Sequence, residues 1–328
     1  MPANLTPMYR KAERDYRHAQ SAIEQVECLQ KMLQLIPKHK GTDKLQAFIK
    51  SKLSEAKTAA RQQANAPKSG QAVRIPRHGS GRIVIVGGPN SGKSTILELL
   101  TNAKPEVASF PFTTREPLPA VMDFHGVQVQ LIDTPPITPG QLPPWMLNLV
   151  RTADAVLLAF DGTSDDSPQD TAAVLEEFRS RKTQLSRRSG FDEIDFAVAH
   201  VPALLVATRA DDSDLDVRLE LLTGLCDVNC PVFKLEASHR DSAAKLHDAV
   251  FERLGLIRIF TKPPGKPADM SSPLTIPIDG TVEDLALQIH EDLARDLKHA
   301  RLWGHGDHDG QIIGRDHVLR DGDVVELH

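Results

Sequence analysis

The sequence predicts an α/β protein centred on a mostly parallel sheet with helices on both faces, and three observations carry this. Short β-branched runs alternate with helical stretches between residues 81 and 255, as in buried parallel strands joined by crossover helices. The first run, RIVIVGG at 82–88, passes straight into a glycine-rich loop that opens a helix. The flanking segments differ in texture, a basic helical pair before and a small α+β module after. At 328 residues the chain is too long for one ordinary core. It divides into a helical hairpin (1–65), a basic linker (66–80), the α/β domain (81–255) and the C-terminal module (256–328).

Each element follows from local pattern. Ile23, Val26, Leu29, Leu33 and Ile36 recur at helical spacing, so 8–36 is expected to be one helix. Pro37 and Gly41 end it, and Thr42 is placed to cap a second helix with the face Leu45, Phe48, Ile49, Leu53 and Ala56. In the α/β domain, strands are expected at 82–88, 127–133, 154–160, 202–208 and 231–236, with helices at 93–103, 168–183, 213–224 and 241–254. Beyond Leu256, strands near 258–262, 273–278 and 323–327 surround one helix at 282–299.

Composition narrows the function classes. With 40% hydrophobic and 25% charged residues the chain reads as a soluble folded protein. No apolar run nears the ~20 residues of a membrane helix, and MPANLTPMYRKAERD lacks the apolar core of a secretory signal. Cys28, Cys226 and Cys230 cannot form a disulfide framework, so a cytoplasmic setting is expected. Cys226 and Cys230 have no second ligand pair and read as buried thiols rather than a zinc site. The net charge of −5 is uneven: residues 1–82 hold 16 Lys and Arg against 6 Asp and Glu, whereas 83–256 hold 15 against 25. A polyanion such as RNA would therefore meet the N-terminal segment first. The alternative is a solvated basic face on a small packing module.

The strongest motif is Gly87, Gly88, Pro89, Asn90, Ser91, Gly92, Lys93, Ser94 and Thr95, between a strand and a helix. Its glycines let backbone N–H groups curl around phosphate oxygens at a helix N-terminus, so a nucleoside triphosphate is expected here. Lys93 would meet the β/γ-phosphates and the Ser94 hydroxyl would bind Mg²⁺. Asp133, closing the strand VQVQLID, is the candidate for a second Mg²⁺ contact, against its use as a plain turn former. Thr113 and Thr114 in SFPFTTREP are the candidates to bring a hydroxyl to the metal and the γ-phosphate.

Guanine offers N1–H and an exocyclic amine to one carboxylate, a donor pair adenine lacks. Asp211, in ATRAD after the strand PALLV, stands where such a carboxylate would reach the base, with capping of the next helix by Asp211 and Asp212 as the alternative. Ala237, after PVFKLE, would then supply a backbone N–H to the guanine carbonyl.

GGPNSGKST, FPFTTREP, DTPP, TRADD and LEAS, followed by IRIFTKPPGKPADM and VLRDGDVVEL, together resemble the Obg superfamily of GTPases, in particular its Drg-like branch and bacterial relatives. The C-terminal module resembles a TGS domain, a β-grasp fold. The resemblance implies that Thr114 coordinates Mg²⁺ and senses the γ-phosphate, and that Asn90 helps to hold K⁺ beside the phosphates. It places Ile137 where Ras-like GTPases carry a water-positioning glutamine. It implies slow, K⁺-stimulated hydrolysis of GTP to GDP and a role with the ribosome or another RNA machine, with a protein partner for the acidic TGS domain as a further option. Three departures stand out. Pro136 replaces the glycine whose N–H contacts the γ-phosphate. Thr208 and Arg209 replace Asn-Lys, with threonine the poorer brace and arginine stacked along the base. Glu236 replaces a serine. A nucleotide-responsive scaffold with little turnover is the runner-up reading, and a P-loop kinase the third.

Overall fold

The computed structural model describes residues 5–19, 21–37, 40–65, 75–101, 117–192, 195–236, 241–306 and 308–328. The N-terminal part holds α1 (Pro7–His18), α2 (Ala22–Leu35) and α3 (Asp43–Asn65). The single helix expected over 8–36 is thus two. Ala19 is extended, and the Ser21 hydroxyl accepts from the Glu24 N–H at 3.2 Å, starting a new helix. The spacing of Ser21 and Glu24 carries that start signal, which the longer apolar periodicity conceals. Thr42 ends a short 3-10 turn before α3, and its hydroxyl donates to Pro37 O at 2.6 Å. Tyr9, Leu29, Met32 and Ile49 form the core of the three helices, and Phe191 and Phe196 of the α/β domain pack against it.

The central part runs β1 (Gly81–Val86), α4 (Lys93–Thr101), β2 (Leu118–Phe124), β3 (Val127–Asp133), α5 (Pro144–Arg151), β4 (Ala155–Asp161), α6 (Ser167–Arg179), β5 (Thr183–Ser186), β6 (Gly190–Phe191), β7 (Ala199–Thr208), α7 (Leu215–Leu225), β8 (Val232–Lys234) and α8 (Ser242–Leu254). The sheet order is β2-β3-β1-β4-β7-β5, with β6 and β8 also pairing β7. β1, β3, β4, β7 and β8 are parallel, whereas β2 forms an antiparallel hairpin with β3. Alternation along the strands divides the core in two. Val84, Leu158 and Leu205 face α5, α6 and α7, while Ile85, Leu157 and Val206 face α4 and α8. This is the doubly covered sheet that the apolar runs predict. The edge strand β2 and the helix α5 have no counterpart in the expected elements.

The C-terminal part comprises β9 (Leu256–Thr261), β10 (Asp269–Pro277), α9 (Val282–Ile289), α10 (Glu291–Asp296), β11 (Ala300–Trp303), β12 (Gln311–Ile313) and β13 (Val324–Leu327). Its sheet order is β10-β9-β13-β11-β12, with the β9–β13 pair parallel. A Thr281–Asp284 capping box starts α9. The helix expected over 282–299 breaks at His290, which turns extended and accepts from the Asp292 N–H through Nδ1 at 3.1 Å. This module meets the β2–β3 hairpin. A Cβ at Gly126, where φ is +85°, would lie 2.8 Å from Ser271 O, and the Arg258 guanidinium lies 5.5 Å from the Phe124 ring centre.

Candidate nucleotide site

β1 lies between β3 and β4, so the loop leaving its carboxyl end opens at the point where strand order reverses. Ligands bind at such switch points in open parallel sheets. The loop is closely packed. A Cβ at Gly92, where φ is +88°, would lie 2.7 Å from Thr208 Cγ2, and one at Gly87 would lie 2.6 Å from Ser91 Oγ. The Ser91 hydroxyl donates to Gly88 O at 2.9 Å. Lys93 begins α4 and is buried, and its ammonium donates to Gly88 O at 2.7 Å. Burial pushes its pKa down and the Asp133 charge opposes this. Pro89 and Asn90 form the exposed rim of the loop, and Ser94 and Thr95 are exposed on the first turn of α4.

Ser94 and Asp133 meet beside Lys93. The Ser94 hydroxyl donates to Asp133 Oδ2 at 3.3 Å, while Oδ1 of the same carboxylate is buried and finds no hydrogen-bond partner among the described residues. Burial pushes the Asp133 pKa up, opposed by the Lys93 charge and by bonds from Ser94 and the Thr134 N–H. A hydroxyl beside an under-satisfied carboxylate is the oxygen donor set of a hard divalent cation, so these residues fit Mg²⁺. Thr113, Thr114 and Ala237 lie outside the described residues.

The segment after Asp133 is tied to the loop from below. The Thr134 hydroxyl donates to Ile85 O at 2.7 Å, and the Ile137 N–H donates to Gly87 O at 3.1 Å. The Ile137 side chain is 2% exposed within the core. Pro136 between them is exposed.

Across the loop, Thr208 ends β7. Against the expectation that threonine braces poorly here, its buried hydroxyl lies 3.2 Å from Ser91 O and 3.1 Å from Phe160 O, linking the loop to β4 and β7. Arg209 follows Thr208 at the rim of the loop. Its guanidinium donates to Asp161 Oδ2 at 2.7 Å, to Thr163 Oγ1 at 3.2 Å and to Asn90 O at 3.2 Å, clamping the rim of the loop to the end of β4. Asp161 and Thr163 were not among the expected site residues, although a strand ending in Asp-Gly is visible in LLAFDG. Asp211 is exposed, and the preceding Ala210 N–H donates to Leu235 O at 3.1 Å. Asp212 is engaged at the start of α7: its Oδ1 accepts from the Asp214 N–H at 2.9 Å and from Arg218 at 2.7 Å.

Comparison with known proteins accords with this geometry. The family model described as 50S ribosome-binding GTPase matches residues 82–188, and the TGS domain model matches residues 257–328. A GTP-binding protein of Methanocaldococcus jannaschii is 26% identical over 93% of this chain and 92% of its own length. Developmentally-regulated GTP-binding protein 1 of Xenopus laevis is 26% identical over 79% of this chain and 85% of its own. The chain belongs to the Obg/Drg-like superfamily of GTPases. The TGS domain of this superfamily member is the five-stranded C-terminal module. The fold of the chain is similar to that of the YchF GTPase of Schizosaccharomyces pombe, at a TM-score of 0.50 and 14% identity over 77% of this chain and 99% of that one. No helix among the described residues is long and apolar enough to cross a membrane.

Proposed function

We propose that this GTP-binding family member hydrolyses GTP slowly to GDP and phosphate in the cytoplasm, and uses the bound nucleotide to govern an association with the ribosome or another RNA. The observation that carries the reading is the pairing of Ser94 with Asp133 beside Lys93, at the mouth of a loop held in shape by Thr208 and Arg209. Backbone N–H groups of residues 87–94 would surround the phosphates, and the Lys93 ammonium would exchange its carbonyl contacts for β/γ-phosphate oxygens. Ser94, Asp133 and Thr114 would hold Mg²⁺, which when bound supplies positive charge to the phosphate oxygens. Asp211 would accept from guanine N1–H and its amine, with the Ala237 N–H on the guanine carbonyl. Ile137 has no polar group with which to orient water, so the chain contributes positioning and electrostatics rather than a general base. Asn90 would help to hold K⁺ at the rim and offset part of that deficit.

A second reading rests on Pro136 and Ile137. Pro136 has no N–H for the γ-phosphate, and the Ile137 N–H is already committed to Gly87 O. Both features support a nucleotide-responsive scaffold with little turnover.

The basic N-terminal segment supports the RNA association through phosphate neutralisation, and the acidic TGS domain suits a protein contact. One purified preparation tests both halves. Turnover of GTP should require Mg²⁺ and rise when K⁺ replaces Na⁺, and the protein should co-sediment with ribosomes with a non-hydrolysable GTP analogue but not with GDP. Equal rates in the two salts would remove the role of Asn90, and sedimentation indifferent to nucleotide would contradict the gated association.

A further inference from the structure

A cavity of about 560 Å³ lies far from the phosphate loop, where α1, the segment leading into β1, the end of α8 and the start of the TGS domain meet. Its walls carry Lys11, Arg14, Arg17, Arg77, Arg187 and Arg253. The carboxylates in the same walls are mostly engaged already. Asp154 takes Arg77, the Arg82 N–H at 2.6 Å and His18 at 2.8 Å, Glu252 pairs with Arg253 at 3.0 Å, and Asp284 serves the cap of α9. Asp15 is the fourth. Lys11, Arg14, Arg17 and Arg187 form no ion pair within 4.0 Å among the described residues. Within this surplus of positive charge, Arg17 Nε and Nη1 are buried and have no hydrogen-bond acceptor among the described residues. A buried guanidinium nitrogen without a partner is costly, which marks a place where an acceptor belongs.

We propose that this cavity binds a small phosphorylated anion, whose oxygens satisfy Arg17 and whose charge is balanced by Lys11, Arg14 and Arg187. Guanidinium groups present planar donor pairs that match phosphate oxygens. The volume is that of a metabolite site, and Arg17 lines a concavity rather than a flat face that a nucleic-acid strand could follow. Because its walls come from three parts of the chain, the ligand would fasten the N-terminal helices and the TGS domain to the α/β domain. The site is independent of the nucleotide reading.

Phosphate would also enter the nucleotide loop, so the test uses the full chain saturated with Mg²⁺ and a non-hydrolysable GTP analogue. Inorganic phosphate titrated by calorimetry should bind saturably to one further site. Arg17→Met and Arg187→Gln should each weaken that binding by roughly tenfold without altering affinity for the GTP analogue. Arg187 is exposed, so its variant decides the matter if Arg17→Met fails to fold. Absence of saturable binding, or binding unchanged in Arg187→Gln, overturns the proposal. Arg17-dependent binding of a single-stranded RNA oligomer without binding of phosphate also overturns it, and assigns the surface to RNA.

Discussion

Thr208 carries an unusual share of the site for one short side chain. Its hydroxyl touches two carbonyls from different elements, and its methyl group lies where any side chain at Gly92 would have to go. Thr208→Val keeps the shape and removes the single hydroxyl proton shared between Ser91 O and Phe160 O. A destabilisation of about 1–3 kcal/mol is expected in urea unfolding, with weaker nucleotide binding. Unchanged stability and affinity would show that the hydroxyl does not brace the loop. The residues of the loop were legible in the sequence because phosphate binding imposes glycines and a lysine at fixed local spacing. The clamp between Arg209 and Asp161 was not, because partners 48 positions apart leave no local periodicity.

At the level of elements, the segment Asp133–Ile137 behaves as a strap under the loop. It is anchored at Thr134 and Ile137, with a residue that cannot donate at Pro136 between the anchors. Pro136→Gly restores an N–H and frees the backbone, so calorimetry should show a wider affinity gap between a non-hydrolysable GTP analogue and GDP. A gap that does not move would show that the missing N–H is irrelevant to sensing. Buried strands were readable here from their apolar runs, as in β1 and β4. Less was readable in α1 and α2, where the extended Ala19 and a serine cap divide one apolar stripe. Edge elements such as β2 and β12 were also obscure, since partial exposure dilutes the alternation on which recognition depends.

For the molecule as a whole, Asp154 is the electrostatic joint between the N-terminal helices and the α/β domain. Burial would raise its pKa. The hydrogen bond and charge of His18, the Arg77 charge and the Arg82 N–H outweigh burial and hold it at about 2, against an ordinary value of 3.8. The folded state therefore favours the charged form. The resulting stability is fully present above the unfolded value and is lost as pH falls through the folded one, an effect of roughly 2 kcal/mol. Asp154→Asn should flatten the decline in unfolding free energy between about pH 4 and pH 2, and an unchanged slope would place the acid-sensitive joint elsewhere. The assignment of domains to a nucleotide cycle rests on the loop and on the base-reading carboxylate acting together. Its most direct test is the uptake of labelled guanine nucleotide by the purified full chain with Mg²⁺, competed with ATP and with xanthosine triphosphate, in the native protein and in Asp211→Asn. Label bound to the native chain should resist ATP and yield only to unlabelled GTP added as a control, and Asp211→Asn should shift its preference towards the xanthine nucleotide. Uptake that ATP abolishes equally well, or a base preference that Asp211→Asn leaves in place, would contradict the account.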